Sequence, residues 1–178
     1  MTRLCLVLLI GALVCAGCGG HAARPAPSPV ARADDTHEYP SAPPAPQTAT
    51  HVTSTATEAI RAFVTAYINW DAQTVSDDMR TLAARSVGQA RAAMMLAAAQ
   101  TTGDYELQRG GISNSGTVEA VAPLVGHDRE YVVVTRESTR ATNTTAYQGL
   151  QPAWHVALAT VAEQRAGEWV VSDWQPEN

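Results

Sequence analysis

The stretch AWHVALATVAEQRAGEWVVSDWQ (residues 153–175) decides the fold class of this chain. Two runs rich in valine, alanine and tryptophan flank QRAG (164–167), a connection short enough for an antiparallel hairpin. Apolar side chains in the first run alternate onto both faces, with Trp154 on one face and Ala157 on the other. This pattern predicts a curved sheet that is covered by helices on one face and meets a partner or a neighbouring element on the other.

Three further runs with strand-like composition precede this hairpin. They are YELQRGGI (105–112), TVEAVAPL (117–124) and REYVVVTRE (129–137), and glycine, asparagine and proline signals separate them. The C-terminal part of the chain therefore predicts about five antiparallel strands.

The residues before these runs have helical periodicity. In TATEAIRAFVTAYINW (55–70), Thr55 and Glu58 form a capping-box pattern, and apolar residues then recur at a spacing of three and four. A second helix is predicted to start at Asp71 or Thr74, and an alanine-rich third one follows at 88–100. About three N-terminal helices followed by strands predict an α+β fold, with the helices packed on a curved antiparallel sheet.

The N-terminal part of the chain differs in composition from this domain. Residues 1–18 carry an apolar run of signal-peptide length, too short to cross a bilayer as a helix. Residues 19–54 hold seven of the ten prolines and predict a disordered linker, because such a tract buries little apolar surface. Residues 55–178 contain all four tryptophans and predict the folded domain.

All three cysteines (Cys5, Cys15 and Cys18) lie in the first 18 residues. The spacing of the last two is compatible with a disulfide, half of a metal site or a membrane anchor, but one CxxC supplies only two thiolates and no second pair follows. VCAGC (14–18) resembles a bacterial lipobox, with small residues directly before Cys18. The sequence therefore predicts a lipid on Cys18 and a location on the extracytoplasmic face of the cell membrane, with plain secretion or an uncleaved anchor as alternatives.

Charge and motifs restrict the function further. The net charge is −5 and all 12 basic residues are arginine, which argues against a nucleic-acid-binding surface. The sequence has no G-x-S-x-G, no H-E-x-x-H and no glycine-rich phosphate loop. We therefore expect no enzymatic activity, no cofactor and no metal.

Two stretches of the domain look like parts of the nuclear transport factor 2-like (cystatin-like α+β) superfamily. They are AFVTAYINWD (62–71), similar to its first helix, and GEWVVSDWQ (167–175), similar to its last strand. FVTAYINWD followed by DDMRTLAARSVGQARAAM (77–94) is also similar to soluble domains of TcpC-type conjugative transfer proteins, although those usually carry a transmembrane helix. The resemblance covers about residues 55–178. It implies a cone-like fold, a protein partner or self-association, and an accessory role in a conjugation or envelope complex.

The same resemblance supplies an alternative function. Enzymes of this fold use a carboxylate or histidine in the pocket of the cone as a general base, which makes Asp71, His155 and Tyr67 candidate pocket residues. The structural interpretation is that Asp71 caps a helix and His155 is a sheet residue. Polar groups converging on an open cavity would favour a small-ligand-binding or isomerase- or dehydratase-like module, whereas an interior filled by aromatic and alanine side chains would exclude it.

The polar connection TRATNTTAYQGLQ (139–151) is the best candidate for a recognition loop, because connections of this length are often functional. Taken together, the sequence predicts a membrane-anchored extracytoplasmic binding or assembly lipoprotein.

Overall fold

Four helices and five strands make up residues 45–177, the part of the chain that the computed structural model describes. In chain order they are α1 (Ala56–Ile68), β1 (Trp70–Asp71), α2 (Val75–Ala84), α3 (Gly88–Thr101), α4 (Tyr105–Gly110), β2 (Ile112–Pro123), β3 (Glu130–Ala141), β4 (Ala153–Arg165) and β5 (Glu168–Pro176).

Helix α1 begins where the capping-box pattern predicts. The Thr55 hydroxyl accepts the Glu58 backbone N–H at 3.2 Å, and the Ser54 hydroxyl donates to the Glu58 carboxylate at 2.8 Å. The first contact satisfies a backbone N–H at the open helix start, and the second joins the two side chains beside it. The apolar face of α1 then buries Ile60 and Val64 completely.

The five strands form one antiparallel sheet in the order β1-β2-β3-β4-β5. Bulges interrupt the register of β2 after Val118 and of the β4–β5 pair after Thr160, and such bulges bend a sheet. The helices pack on the concave face, where residues of α1, α2 and α3 share one apolar core with β3, β4 and β5. The predicted α+β fold, with helices on a curved antiparallel sheet, is confirmed.

One predicted strand is wrong. Residues 105–110 form α4, because the Asp104 carboxylate accepts the Leu107 N–H at 3.0 Å and so caps a helix start. Gly111 then ends the helix in the left-handed conformation, at φ 58°. The fifth strand is instead the short β1, which pairs Trp70 with Asn114 on β2.

The compact unit begins at Ala45, ten residues before the predicted domain start at Thr55. Residues 45–54, called here the N-terminal segment, lie against the domain. Ala49 is buried, the Thr50 N–H donates to the Ala84 carbonyl at 2.8 Å, and Thr53 and Trp169 exchange backbone hydrogen bonds of 3.1 and 2.9 Å. The last part of the predicted linker therefore belongs to the folded unit.

The predicted signal peptide, the lipid on Cys18 and the remainder of the linker lie outside the described residues and stay predictions. Among the described helices, none has the length and apolar character needed to cross a membrane.

Candidate functional site

The side chains on the concave face of the sheet change from apolar to polar along strands β3 and β4. On β3 the inward residues run from Val133 through Thr135 to Glu137, and their partners on β4 run from Ala157 through His155 to Ala153. We call the buried end of this face the apolar half: Val133, Ala157, Ala159, Val161 and Trp174. We call the other end the polar half: Asn114, Thr135, Glu137, Thr139 and His155.

An open cleft of about 570 Å³ lies over the polar half. Its walls come from α1, β1, α2, α3 and the loop between β3 and β4, and they are largely apolar. The wall side chains are those of Tyr67, Trp70, Val75, Met79 and Leu150. Asn114, Glu137, Thr139 and His155 also line the cleft, so polar groups converge on an open cavity.

A hydrogen-bond network fixes the polar half. The amide of Asn114, which is 8% exposed, donates to the Ile68 carbonyl and to the Glu137 carboxylate, both at 2.8 Å. Thr139 donates to the Asn114 amide oxygen at 3.0 Å, and Thr135 donates to the other Glu137 oxygen at 2.6 Å. Each carboxylate oxygen accepts one of these bonds and keeps capacity for another.

Gly116 makes room for this carboxylate. It stands opposite Glu137 in the β2–β3 register, and a Cβ at Gly116 would lie 2.7 Å from the Arg136 carbonyl oxygen and 3.0 Å from Glu137 Cγ. The Asn69 side chain accepts the Gly116 N–H at 3.0 Å and donates to the Gly116 carbonyl at 3.2 Å. These bonds hold the end of α1 against β2 and so position the neighbouring cleft wall.

Two of the three predicted pocket residues line the cleft. Tyr67 and His155 lie in its lining, and within residues 45–177 neither the phenol nor the imidazole has a hydrogen-bond partner. Asp71 lies outside it, where its carboxylate accepts the N–H groups of Gln73 and Thr74 at 2.9 and 3.1 Å before α2. Its position agrees with the helix-cap interpretation.

Sequence reasoning did not identify Glu137, Asn114 or Thr135 as site residues. The predicted third strand ended at Glu137 and the predicted recognition loop began at Thr139, but β3 continues to Ala141. The available signal was the alternation of Thr135, Glu137 and Thr139, which continues the period of two beyond the valine run. The predicted loop contributes Leu150 and Gln151 to the lining of the cleft.

A second groove, of about 500 Å³, runs between the N-terminal segment and the β4–β5 hairpin. Its two glutamine side chains are already engaged. Gln164 accepts the Ala49 N–H at 3.1 Å and donates to the Gln47 carbonyl at 3.2 Å, and Gln47 accepts the Gly88 N–H at 2.7 Å. These bonds occupy the two glutamines in holding the N-terminal segment to the domain. Within residues 45–177, no three His, Cys, Asp or Glu side chains are grouped to hold a metal ion.

The sequence matches no protein-family model, and no curated protein is significantly similar to it. Among solved structures, the VirB8 protein of Agrobacterium tumefaciens is similar to this chain at 14% sequence identity and a TM-score of 0.46, over 68% of this chain and 88% of VirB8. A likeness at this level defines neither family nor function.

Proposed function

We propose that this chain is a binding lipoprotein of the bacterial envelope and that the cleft is its binding site. The observation that carries the proposal is a hydrogen-bond network in which Asn114, Glu137 and Thr139 line an open cavity and the buried Thr135 donates to the Glu137 carboxylate. Ligand sites typically have about 300–1,000 Å³, apolar walls and a few placed polar groups, and the cleft has all three features. Since polar groups converge there, ligand binding is favoured over a role through surface shape alone.

The N-terminal segment supports a tethered arrangement. It contacts β4 at Gln164, whereas His155 in the cleft stands near the other end of this strand. Nine residues of strand separate the two positions by about 30 Å. In our proposal Cys18 carries the lipid, and a domain attached through Ala45 presents its cleft at the end of β4 away from the attachment.

The further expectations from the family resemblance belong to this proposal. They are an accessory role in a conjugation or other envelope complex and contact with a protein partner or a second copy. Trp154 is 62% exposed on the convex face, with the Arg136 guanidinium 5.8 Å from its ring centroid, and Val156 is exposed beside it. Sedimentation velocity of the full chain measures the self-association directly.

A filled-cleft variant tests the binding proposal. Ala153 is exposed and lines the cleft, so Ala153→Trp occupies the cavity without disturbing the core. Ala166→Trp, in the exposed β4–β5 turn, is the matched control. We expect some small polar compounds to raise the melting temperature of the full chain and of Ala166→Trp. The same compounds should leave the melting temperature of Ala153→Trp unchanged. A ligand at a hundredfold excess over Kd stabilises by about 2.7 kcal/mol, which a thermal melt resolves.

Two results would overturn the binding proposal: no compound of a broad metabolite library stabilises the wild-type chain, or Ala153→Trp responds as the control does. The anchor is tested separately by mass spectrometry of the mature N-terminus. We expect a diacylated or triacylated Cys18, and Cys18→Ser to leave the membrane fraction. An unmodified N-terminus beyond Cys18 would contradict the anchor.

A second candidate function is acid–base catalysis, favoured by the placement of Glu137 and His155. Because Thr135 pairs with His155 and Glu137 with Ala153, the two titratable side chains are diagonal neighbours on one face. Such positions are about 7–8 Å apart and within reach of long side chains. A carboxylate and an imidazole in one cleft can together move a proton on a bound substrate. Turnover of a stabilising compound by the wild-type chain, lost in both Glu137→Gln and His155→Ala, would establish this function.

A further inference from the structure

We infer that the ligand of the cleft is a small organic cation, an alkyl- or arylammonium ion, held by the Glu137 carboxylate against the aromatic wall of Tyr67 and Trp70. This inference rests on the proposed binding function and adds the chemical class of the ligand.

Charge is the first argument. Among the described residues that line the cleft, Glu137 is the one carboxylate and none is an arginine. The sequence has no lysine at all. A carboxylate or phosphate group placed beside Glu137 would therefore meet a like charge, whereas an ammonium ion would form a charge-assisted hydrogen bond with Glu137.

The direction of the hydrogen bonds is the second argument. Both amide hydrogens of Asn114 are engaged, one by the Ile68 carbonyl and one by Glu137. The Thr135 and Thr139 hydroxyls donate within the network, and the Thr101 hydroxyl donates to the Ala97 carbonyl at 2.8 Å. The network thus consumes its own donors and leaves acceptor lone pairs on Glu137 and the hydroxyl oxygens. A ligand group that contacts Glu137 and these hydroxyl oxygens therefore supplies N–H donors.

The walls are the third argument. Tyr67 and Trp70 supply aromatic rings, which attract cations, and Val75 and Met79 supply apolar surface. Tyr67 is held by its neighbours: its ring lies 5.4 Å from the Trp174 ring, edge to face, and 6.3 Å from the Phe63 ring. The cleft therefore fits a cation with an apolar body, such as an amine on a short carbon chain or ring.

Three probes of similar size and different charge test this class: phenethylammonium, the neutral 2-phenylethanol and the anionic 3-phenylpropanoate. Calorimetric titration of the full chain measures each affinity. We expect the ammonium to bind at least tenfold more tightly than the alcohol, and the anion to bind most weakly. We also expect added NaCl to lower the affinity for the ammonium and to leave the affinity for the alcohol unchanged, since only the ammonium pairs with a charge.

Glu137→Gln isolates the contribution of the charge. The glutamine amide can donate to Thr135 and its oxygen can accept from Asn114, so the network persists with one bond reversed. The matched control is Glu119→Gln: the Thr117 hydroxyl donates to Glu119 at 2.6 Å, as Thr135 does to Glu137, but Glu119 is exposed and outside the cleft lining. We expect Glu137→Gln to lower the affinity for the ammonium at least tenfold and Glu119→Gln to leave this affinity unchanged.

Two results would overturn the inference and leave the binding function standing. The first is that the alcohol or the anion binds as tightly as the ammonium or more tightly. The second is that a folded Glu137→Gln chain binds the ammonium with unchanged affinity. Failure of all three probes to bind would also overturn the cation class, while the library screen with Ala153→Trp decides independently whether the cleft binds anything. If Glu137→Gln does not fold, the salt dependence of the wild-type chain decides, and an ammonium affinity insensitive to salt rejects the inference.

Discussion

The apolar half and the polar half of the concave face share strands β3 and β4 and one alternation of side chains, but they perform different tasks. Val133 and Ala157 pair across the sheet beneath the helices and are almost completely buried. Thr135 lies two residues after Val133, and His155 lies two residues before Ala157; these two residues pair in the same way, and His155 lines the cleft. The backbone thus presents both halves identically, and the side chains alone separate core from site.

The two halves also gain their order from different forces. In the apolar half, order comes from burial of apolar surface, which is not directional. In the polar half it comes from hydrogen bonds, which fix the Glu137 carboxylate between Thr135 and Asn114. We therefore expect substitutions in the apolar half to change stability, and those in the polar half to change binding more than stability.

The largest effect is expected for Trp174→Ala in the apolar half. Trp174 is 7% exposed and packs against Phe63 and Tyr67, and its ring N–H has no hydrogen-bond partner among residues 45–177, so its contribution is one of packing. Loss of a buried tryptophan costs about 3–5 kcal/mol. Urea denaturation followed by circular dichroism measures the free energy of unfolding, and a loss below about 1 kcal/mol would contradict this assignment to the core.

Gly116→Ala is expected to have the next largest effect. The added methyl meets the Arg136 carbonyl oxygen and Glu137 Cγ, so β3 or the carboxylate must shift, and overpacking of this kind costs about 1–3 kcal/mol. Ser115→Ala, at an exposed neighbouring position, is the control and should change the free energy by less than about 0.5 kcal/mol. Equal stability of the two variants would show that Glu137 does not require the space.

Thr135→Val sharpens the boundary between the halves. It keeps a buried β-branched side chain and removes the hydroxyl that donates to Glu137, which should cost about 1 kcal/mol. Thr117→Val, which removes the equivalent exposed contact to Glu119, should cost close to nothing. Equilibrium denaturation of both variants measures the difference, and a gain in stability at Thr135 would mean that this residue belongs to the apolar half.

His155→Ala is expected to have the smallest effect on folding. His155 is exposed and, among the described residues, has no hydrogen-bond partner, so the free energy of unfolding should change by less than about 0.5 kcal/mol. The same denaturation experiment checks it. A loss above about 1 kcal/mol would place His155 in the structural framework and not in the free lining of the cleft.

The division of the concave face also explains how far the sequence could be interpreted. The first helix and the C-terminal hairpin were predictable, because a capping box and two valine-rich runs are strong local signals. The segment TRESTR (135–140) is polar at every position, so polarity does not distinguish the inward Thr135 and Glu137 from the outward Arg136. Burial by the helices, a tertiary effect, makes that distinction.

Two other differences have local causes. Residues 105–110 are too few for a helical period to be recognised, and α4 depends on the cap at Asp104 and on Gly111, which ends the helix in the left-handed conformation. Asp71 was predicted both as a pocket residue and as a helix cap. Its side chain bonds to the backbone N–H groups two and three residues later. The sequence around Asp71 is compatible with this local role and with a pocket role, so sequence alone does not separate the two.

The N-terminal segment has a mechanical consequence. Tension on the preceding chain would enter the domain at Ala45 and be resisted in succession by the Gln47–Gly88 contact, the Thr50–Ala84 contact and the paired bonds between Thr53 and Trp169. The first two would yield one after the other, whereas the Thr53 pair bears its load on two backbone bonds at once. A pull on the tether would therefore load the end of α2 at Ala84 and the start of α3 at Gly88 first, and would peel these contacts away before the chain of α1, which begins at Ala56, carried the load.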